Sequence, residues 1–215
     1  MFNIDNLIKS FDSFIRTINN TKRNKLVYND EGGLNLNKEN VQYLLTDKDR
    51  IHSCGLMRVN HSGEVCAQAL YRGQQINAVS NIVREFLLHA EEEEIMHLNW
   101  CNNRIKFLNS STSLFNPLWY IGAFSLGIFI SKLGDDISLA FVAETEKQVE
   151  EHLIKHLEKL PVQDLLSIDI VRQMINDEKQ HANYANKLGA SQLPLSIRYA
   201  MKAMSKIMTR TAYYI

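Results

Sequence analysis

The sequence predicts an all-α fold organised around four long helices, and three observations carry that reading. Apolar residues recur at three- and four-residue intervals through most of the 215-residue chain, the period of an α-helix, while the strict alternation of a half-buried strand is almost absent. Four of these periodic stretches are long and joined by short links, as in a bundle. Only three prolines and nine glycines occur, with no Ser/Gly/Pro-rich linker between them. A single domain spanning 1–215 is therefore expected, with 1–38 as an N-terminal extension.

Within that extension, 3–18 reads as a short amphipathic helix, and its Asp5 and Asp12 break the apolar core that a secretory signal needs. TKRNKLVYNDEGGLNLNKEN (21–40) follows as a polar connector whose Asn-Asp-Glu-Gly-Gly is a turn signal. The four long helices are expected at 48–77, 80–108, 136–159 and 162–188. Asp135 or Asp136 is placed to cap the third, and Pro161 suits the first turn of the fourth. Two further helical segments, 117–133 and 194–210, lie between and after them.

Composition excludes some functions. Lys plus Arg and Asp plus Glu both number 24, so no global positive field grips nucleic acid. Cys54, Cys66 and Cys101 form no CxxC pair and read as reduced packing thiols rather than zinc ligands or a disulfide framework. No Rossmann glycine fingerprint occurs.

An internal echo points to chemistry. Glu94-Ile-Met-His97 recurs as Glu178-Lys-Gln-His181, two Glu-x-x-His pairs on two of the long helices. On a helix, residues three apart share a face, so each pair can present two ligands in one direction. Glu64 stands 30 residues before Glu94, and Glu146 stands 32 before Glu178. Each half of the chain thus reads as a helix with one glutamate followed by a helix with Glu-x-x-His, which suggests an ancient duplication of a helical hairpin.

The helical stripes show which way these residues point. Val171, Met174, Glu178, His181, Ala185 and Leu188 form one stripe, apolar except for the Glu and His. Leu139, Val142, Glu146, Val149, Leu153 and Leu157 form another, with Glu144 about 200° away and expected in solvent. Leu87, Ala90, Glu94, His97 and Cys101 select Glu94 from the run of four glutamates at 91–94. Glu93 also lies near His97, with Asp177 as its counterpart before His181, so the glutamate three residues before each histidine is the shared element. The stripe of Met57, His61, Glu64, Gln68 and Tyr71 is less apolar, and Glu64 is assigned there mainly by spacing.

Four carboxylates and two imidazoles on inward stripes are costly to leave unpaired, because burial protonates an isolated carboxylate and neighbouring carboxylates repel. Solvated surface faces would explain any one glutamate; bound cations explain the whole set. Carboxylate and imidazole donors without thiolates favour iron or manganese over structural zinc. One Glu from each of two helices, plus Glu-x-x-His from each of two others, is the donor pattern of ferritin-like di-iron or di-manganese bundles.

MRVNHSGEVCAQALYRGQ (57–74), EEEEIMHLNW (91–100), FVAETEKQVEEHL (141–153), DEKQHANYA (177–185) and KIMTRTAYYI (206–215) together resemble the bacterial demethoxyubiquinone hydroxylases, di-iron monooxygenases of ubiquinone biosynthesis. The resemblance runs from about residue 40 to the end. It implies a ferritin-like four-helix bundle with additional membrane-associating helices and two irons. The irons would be held by Glu64, Glu94, His97, Glu146, Glu178 and His181, with Glu94 and Glu178 bridging. It further implies O2-dependent hydroxylation of the ring of a polyprenylated demethoxyubiquinol. The family's H-A-G-E-Y-G-A appears here as His61-Ser62-Gly63-Glu64-Val65-Cys66-Ala67, which keeps the ligand but removes the aromatic hydroxyl beside it. His152 corresponds to a family histidine near the third helix's glutamate but lies off the ligand stripe, so a contact with the ligands and a solvated ring are both open. No catalytic acid or base beyond the ligands is evident.

A polyprenyl substrate would require access to a bilayer. No charged residue lies between Lys106 and Lys132, yet the apolar LWYIGAFSLGIFI (118–130) would span only about 20 Å as a helix, too short for a ~30 Å hydrocarbon core. Burial, partial immersion and the lining of a tail channel all fit it. Arg198, Lys202, Lys206 and Arg210 recur every four residues beside Met201, Met204, Ile207 and Met208, a pattern that fits a helix in an anionic membrane interface or a bundle helix with a solvated edge. The expected setting is peripheral, on the cytoplasmic face of the cell membrane, with a homo-oligomer or a quinone-biosynthesis complex open. A non-catalytic iron-storage protein of ferritin type would use the same donors, but the uncharged 118–130 segment and basic C-terminal stripe argue against the fully polar exterior of a cage.

Overall fold

A computed structural model describes residues 45–215, together with Asp12 and Ile15; the rest of the expected helix at 3–18 and the connector at 21–40 lie outside the described residues. Six helices follow in order: α1 (Asp47–Gln75), α2 (Asn81–Phe107), α3 (Asn116–Ser131), α4 (Asp135–Lys159), α5 (Leu165–Lys187) and α6 (Leu195–Tyr214). Among the described residues there is no strand. Short links make α1–α2 and α4–α5 two hairpins; α2 faces α5 and α1 faces α4, which completes a ferritin-like four-helix bundle. The α3 helix crosses between the hairpins and packs along α1, while α6 lies against α1 and the edge of α4.

Two helix starts differ from expectation. Gly134, not an aspartate, precedes the first residue of α4. Asp135 instead reaches across to the start of α2, where its carboxylate accepts from the backbone N–H of Val79 at 3.1 Å and of Ser80 at 2.7 Å. Asp136 accepts from the Ser191 hydroxyl at 2.7 Å. Pro161 precedes α5 rather than opening it; the cap is Asp164, whose Oδ1 accepts from the Ser167 N–H at 3.1 Å. That carboxylate also pairs with Arg104 of α2 at 2.6 Å in full burial, and Arg104 donates to the Ser167 hydroxyl. One aspartate thus serves both as a helix cap and as a tie between the hairpins.

Apolar packing falls into three clusters: one of Val65, Ala69, Leu98 and Tyr120 joins α1, α2 and α3, and the other two lie as layers along the bundle. Leu70, Tyr71, Phe86, Leu87, Val142 and Ala185 belong to one layer; Met57, Cys101, Ile105, Leu153, Val171 and Met174 belong to the other. Along each of the four bundle helices the inward polar residues fall between these layers. Each fully buried large apolar side chain contributes about 1.5–3 kcal/mol, so both layers together can offset the desolvation of a polar middle.

The approach of α3 to α1 depends on two facing glycines. A Cβ added to Gly127 would collide with the Leu70 carbonyl, and one on Gly73 with the Phe124 carbonyl. Both obstacles are backbone, which cannot rotate aside. Gly127→Ala is therefore expected to destabilise the fold by about 1–3 kcal/mol, measured as a lower urea midpoint with an unchanged slope. A midpoint equal to that of the unsubstituted chain would contradict the close packing of these helices.

Outward faces complete the description. On α3, Leu118, Ile121, Leu126 and Phe129 are exposed, and α6 exposes Tyr199, Met204 and Ile207 while burying only Ala212. No helix of the described residues is long and apolar enough to cross a membrane. The expectation that Glu144 faces solvent is corrected: α6 covers that side of α4, and Arg198 donates to the Glu144 carboxylate at 2.8 Å. Cys54, Cys66 and Cys101 are free thiols, and burial raises all three, Cys66 to about 12.

Candidate metal centre

Between the two apolar layers the bundle collects six polar side chains, all nearly or fully buried: Glu64 of α1, Glu94 and His97 of α2, Glu146 of α4, and Glu178 and His181 of α5. They form two overlapping groups of four. Glu64, Glu94, His97 and Glu178 each offer a donor atom within 4.8 Å of the others, and so do Glu94, Glu146, Glu178 and His181. Glu94 and Glu178 belong to both groups.

Each imidazole presents Nδ1 to three carboxylates. His97 Nδ1 lies 3.2 Å from Glu94, 3.3 Å from Glu178 and 3.6 Å from Glu64. His181 Nδ1 lies 3.5 Å from Glu94, 3.5 Å from Glu146 and 3.6 Å from Glu178. The electrostatics follow from burial and proximity. Burial, then the Glu94 charge, pushes Glu64 well above the ordinary carboxylate range; burial, then Glu178, does the same to Glu146. Burial also opposes ionisation of Glu94, but the adjoining Glu64 carboxyl and the His181 and His97 imidazoles prevail and depress it. Burial alone would make both histidines less basic, yet the surrounding carboxylates raise them far above the usual imidazole value.

These donors fit cations. Glu94 Oε1, Glu146 Oε2, both carboxylate oxygens of Glu178 and His181 Nδ1 are buried with no hydrogen-bond partner. Unpartnered polar atoms are costly in an interior, and five of them directed into one space are satisfied together by positive charge. The set contains oxygens and imidazole nitrogens but no sulfur, which suits first-row metals of intermediate hardness.

The outer nitrogens reveal a pattern that sequence reasoning passed over. His97 Nε2 is 3.1 Å from Asp177 of α5, and His181 Nε2 is 2.6 Å from Glu93 of α2. Each acid immediately precedes the glutamate of one Glu-x-x-His pair and holds the histidine of the other. The sequence signal was present: both motifs read acid-Glu-x-x-His. Within a single helix Glu93 is a neighbour of His97, and only the placement of α5 against α2 turns it to His181. Burial opposes the Asp177 charge, but His97 and Gln173 outweigh it and hold the carboxyl below its usual range. An anionic acid on Nε2 keeps the proton there, so that Nδ1 is the nitrogen that would give up its proton and turn a lone pair inward to a cation.

Tyr71 donates its hydroxyl to Glu146, so an aromatic hydroxyl is present although Val65 stands where the resembled motif has tyrosine. Two other histidines considered from sequence stand apart. His61 is buried but accepts from Asn116 at 3.2 Å, and burial lowers it to about 4. His152 is not among the converging donors; its ring lies 4.0 Å from that of His156, and burial with Lys159 and Lys155 lowers it to about 4.

Asp177→Ala is expected to weaken metal affinity by about 10–100-fold, with a smaller loss for Asp177→Asn, whose amide oxygen can still accept. Competition against a chelator measures both. Equal affinities in all three proteins would remove Asp177 from the ligand support.

The bundle and its buried carboxylate–imidazole cluster define a ferritin-like helical protein of the kind whose interior can hold metal. Residues 52–212 match the family model described as Ubiquinone biosynthesis protein COQ7, and the chain belongs to this family. Relatives named 3-demethoxyubiquinol 3-hydroxylase agree with the assignment. That of Bordetella parapertussis is 53% identical across 80% of this chain and 77% of its own. The Ralstonia pickettii protein is 54% identical across 80% and 79%, and that of Paraburkholderia xenovorans 52% identical across 80% and 81%.

Proposed function

We propose that this chain is an oxidoreductase of the di-iron monooxygenase type that hydroxylates the ring of a polyprenylated demethoxyubiquinol with O2, a late step of ubiquinone biosynthesis. The observation that carries the proposal is the pair of four-donor groups sharing Glu94 and Glu178, in a chain about half identical to proteins named for that hydroxylation. Glu64 with His97, and Glu146 with His181, would each complete one iron's donor set, with Glu94 and Glu178 common to both. Two adjacent irons in such a setting supply electrons for activating O2. In the net reaction one oxygen atom enters the ring, and the other leaves as water after taking up two protons and two electrons.

The chain's own residues prepare that chemistry. Asp177 and Glu93 orient the imidazoles through Nε2, and Tyr71 holds Glu146 by its hydroxyl. Fully buried Met57, Leu87, Val142, Val171 and Met174 occupy the stripes on either side of the donors, which limits the water that could divert reactive oxygen. The exposed apolar faces of α3 and α6, with Lys206 and Arg210 alongside, support peripheral attachment at the cytoplasmic face of the cell membrane, where a polyprenyl substrate resides. The same faces weigh against a storage cage.

Reduced protein incubated anaerobically with the quinol and then given isotopically labelled O2 should yield a product one oxygen atom heavier that carries the label. An unlabelled product would overturn the monooxygenase reading.

A further inference from the structure

A cavity of ≈ 590 Å³ opens between α2 and α5 and is lined by Glu85, His89 and Glu93 on one side and Asp177, His181 and Lys187 on the other. Glu85, His89 and Glu93 are each four residues apart, so they rise along one face of α2 in steps of about 6 Å. Their path leads inward. The His89 side chain is 72% exposed, Glu93 29% and His181 7%. One oxygen, Glu93 Oε2, lies 3.1 Å from His89 Nδ1 and 2.6 Å from His181 Nε2, which links the outer donor to the innermost ring.

The inner end of the cavity indicates what would travel along it. His181 forms that end while its unpartnered Nδ1 lies among Glu94, Glu146 and Glu178. Along the bundle the donors are flanked on both sides by the two apolar layers, which a bare cation crosses only at a large desolvation cost. Three carboxylates and one ammonium line the cavity, so its field favours cations.

We propose that this groove is the loading route of the centre, with Glu85, His89 and Glu93 acting as successive transient ligands for a divalent metal ion passing to the buried donors. The proposal rests on the reading of the six-donor cluster as a two-cation site, and the test separates the two ideas. Metal-stripped protein is mixed with Co2+ alone; its visible absorption reports coordination, and dialysis followed by metal analysis gives the final stoichiometry.

The double variant Glu85→Gln, His89→Gln is expected to load about tenfold more slowly, with the same final spectrum and the same two Co2+ per chain. Lys187→Gln should load faster, a gain that a folding defect does not produce. Glu158→Gln, an exposed charge on α4, should change nothing. An unaltered loading rate in the double variant would overturn the route, as would a reduced final stoichiometry, since the residues would then be permanent ligands. Failure of the unsubstituted chain to bind two Co2+ would overturn the two-cation reading itself.

Discussion

Replacing Glu178 by alanine should remove the metal centre while leaving the bundle folded. Glu178 is one of two carboxylates common to both donor groups, and neither of its oxygens has a hydrogen-bond partner; its loss therefore takes a donor from both positions at once. Metal content is expected to fall from two ions per chain to one or none. Hydroxylation should fall by about a thousandfold or more, since metal assistance is worth several kcal/mol and each 1.36 kcal/mol is about tenfold in rate. Metal analysis beside a circular dichroism spectrum checks the result. A variant retaining two tightly held ions would show that the buried glutamates are not the ligands.

Glu178→Gln distinguishes ligation from packing. It keeps the volume but removes one of the charges that drive Glu64 and Glu146 upward. In the metal-free state this variant should melt below the unsubstituted protein, because Glu178 is one of the carboxylates that hold His97 and His181 protonated and its loss leaves buried positive charge uncompensated. With metal present the deficit should widen, since Glu178 belongs to both donor groups.

The metal-free and metal-loaded proteins should respond to pH in opposite directions. Glu64 and Glu146 have raised folded values, so the folded chain keeps protons that the unfolded chain has released, and stability falls as pH rises toward those values. His97 and His181 are also raised: their contribution is full below the unfolded imidazole value of about 6.5 and is lost as pH rises through the folded values. Glu94 is depressed, so its contribution is lost only in strong acid. His61, His152 and His156, held neutral with values of about 4, 4 and 2, lower stability only as pH falls below about 6.5.

Above the unfolded imidazole value of about 6.5, and until the raised groups release their protons, Glu64, Glu146, His97 and His181 dominate. The metal-free protein should lose about 1.4 kcal/mol per pH unit for each proton it retains on folding. Metal binding requires deprotonated donors, so the loaded protein should instead gain or hold stability over the same range. Thermal melts with and without chelator measure the two slopes. Parallel slopes would mean that no cation replaces these protons.

Much of this was legible before any coordinates. The Glu-x-x-His pairs lie on inward stripes because three- and four-residue spacing is a property of the helix itself, independent of its neighbours. Glu64 was found by its distance from Glu94 along the chain, and it is buried with the others although its stripe is less apolar. Where spacing misled, the cause was a contact between helices. Asp135 has a cap's composition at the right position, but its carboxylate serves α2. Glu144 points away from the bundle axis as expected, but α6 covers it with Arg198.

The local code therefore determined the helices, their inward faces and the six donors, because backbone periodicity assigns each side chain a direction within its own helix. Only the packing of four helices decided that Glu94 and Glu178 stand in both donor groups, that Glu93 and Asp177 cross to the opposite histidines, and that α2 and α5 leave a polar cavity between them. Those relations are distances of a few ångströms between residues some 80 positions apart, and they exist only once burial of the two apolar layers has fixed each helix against its neighbours.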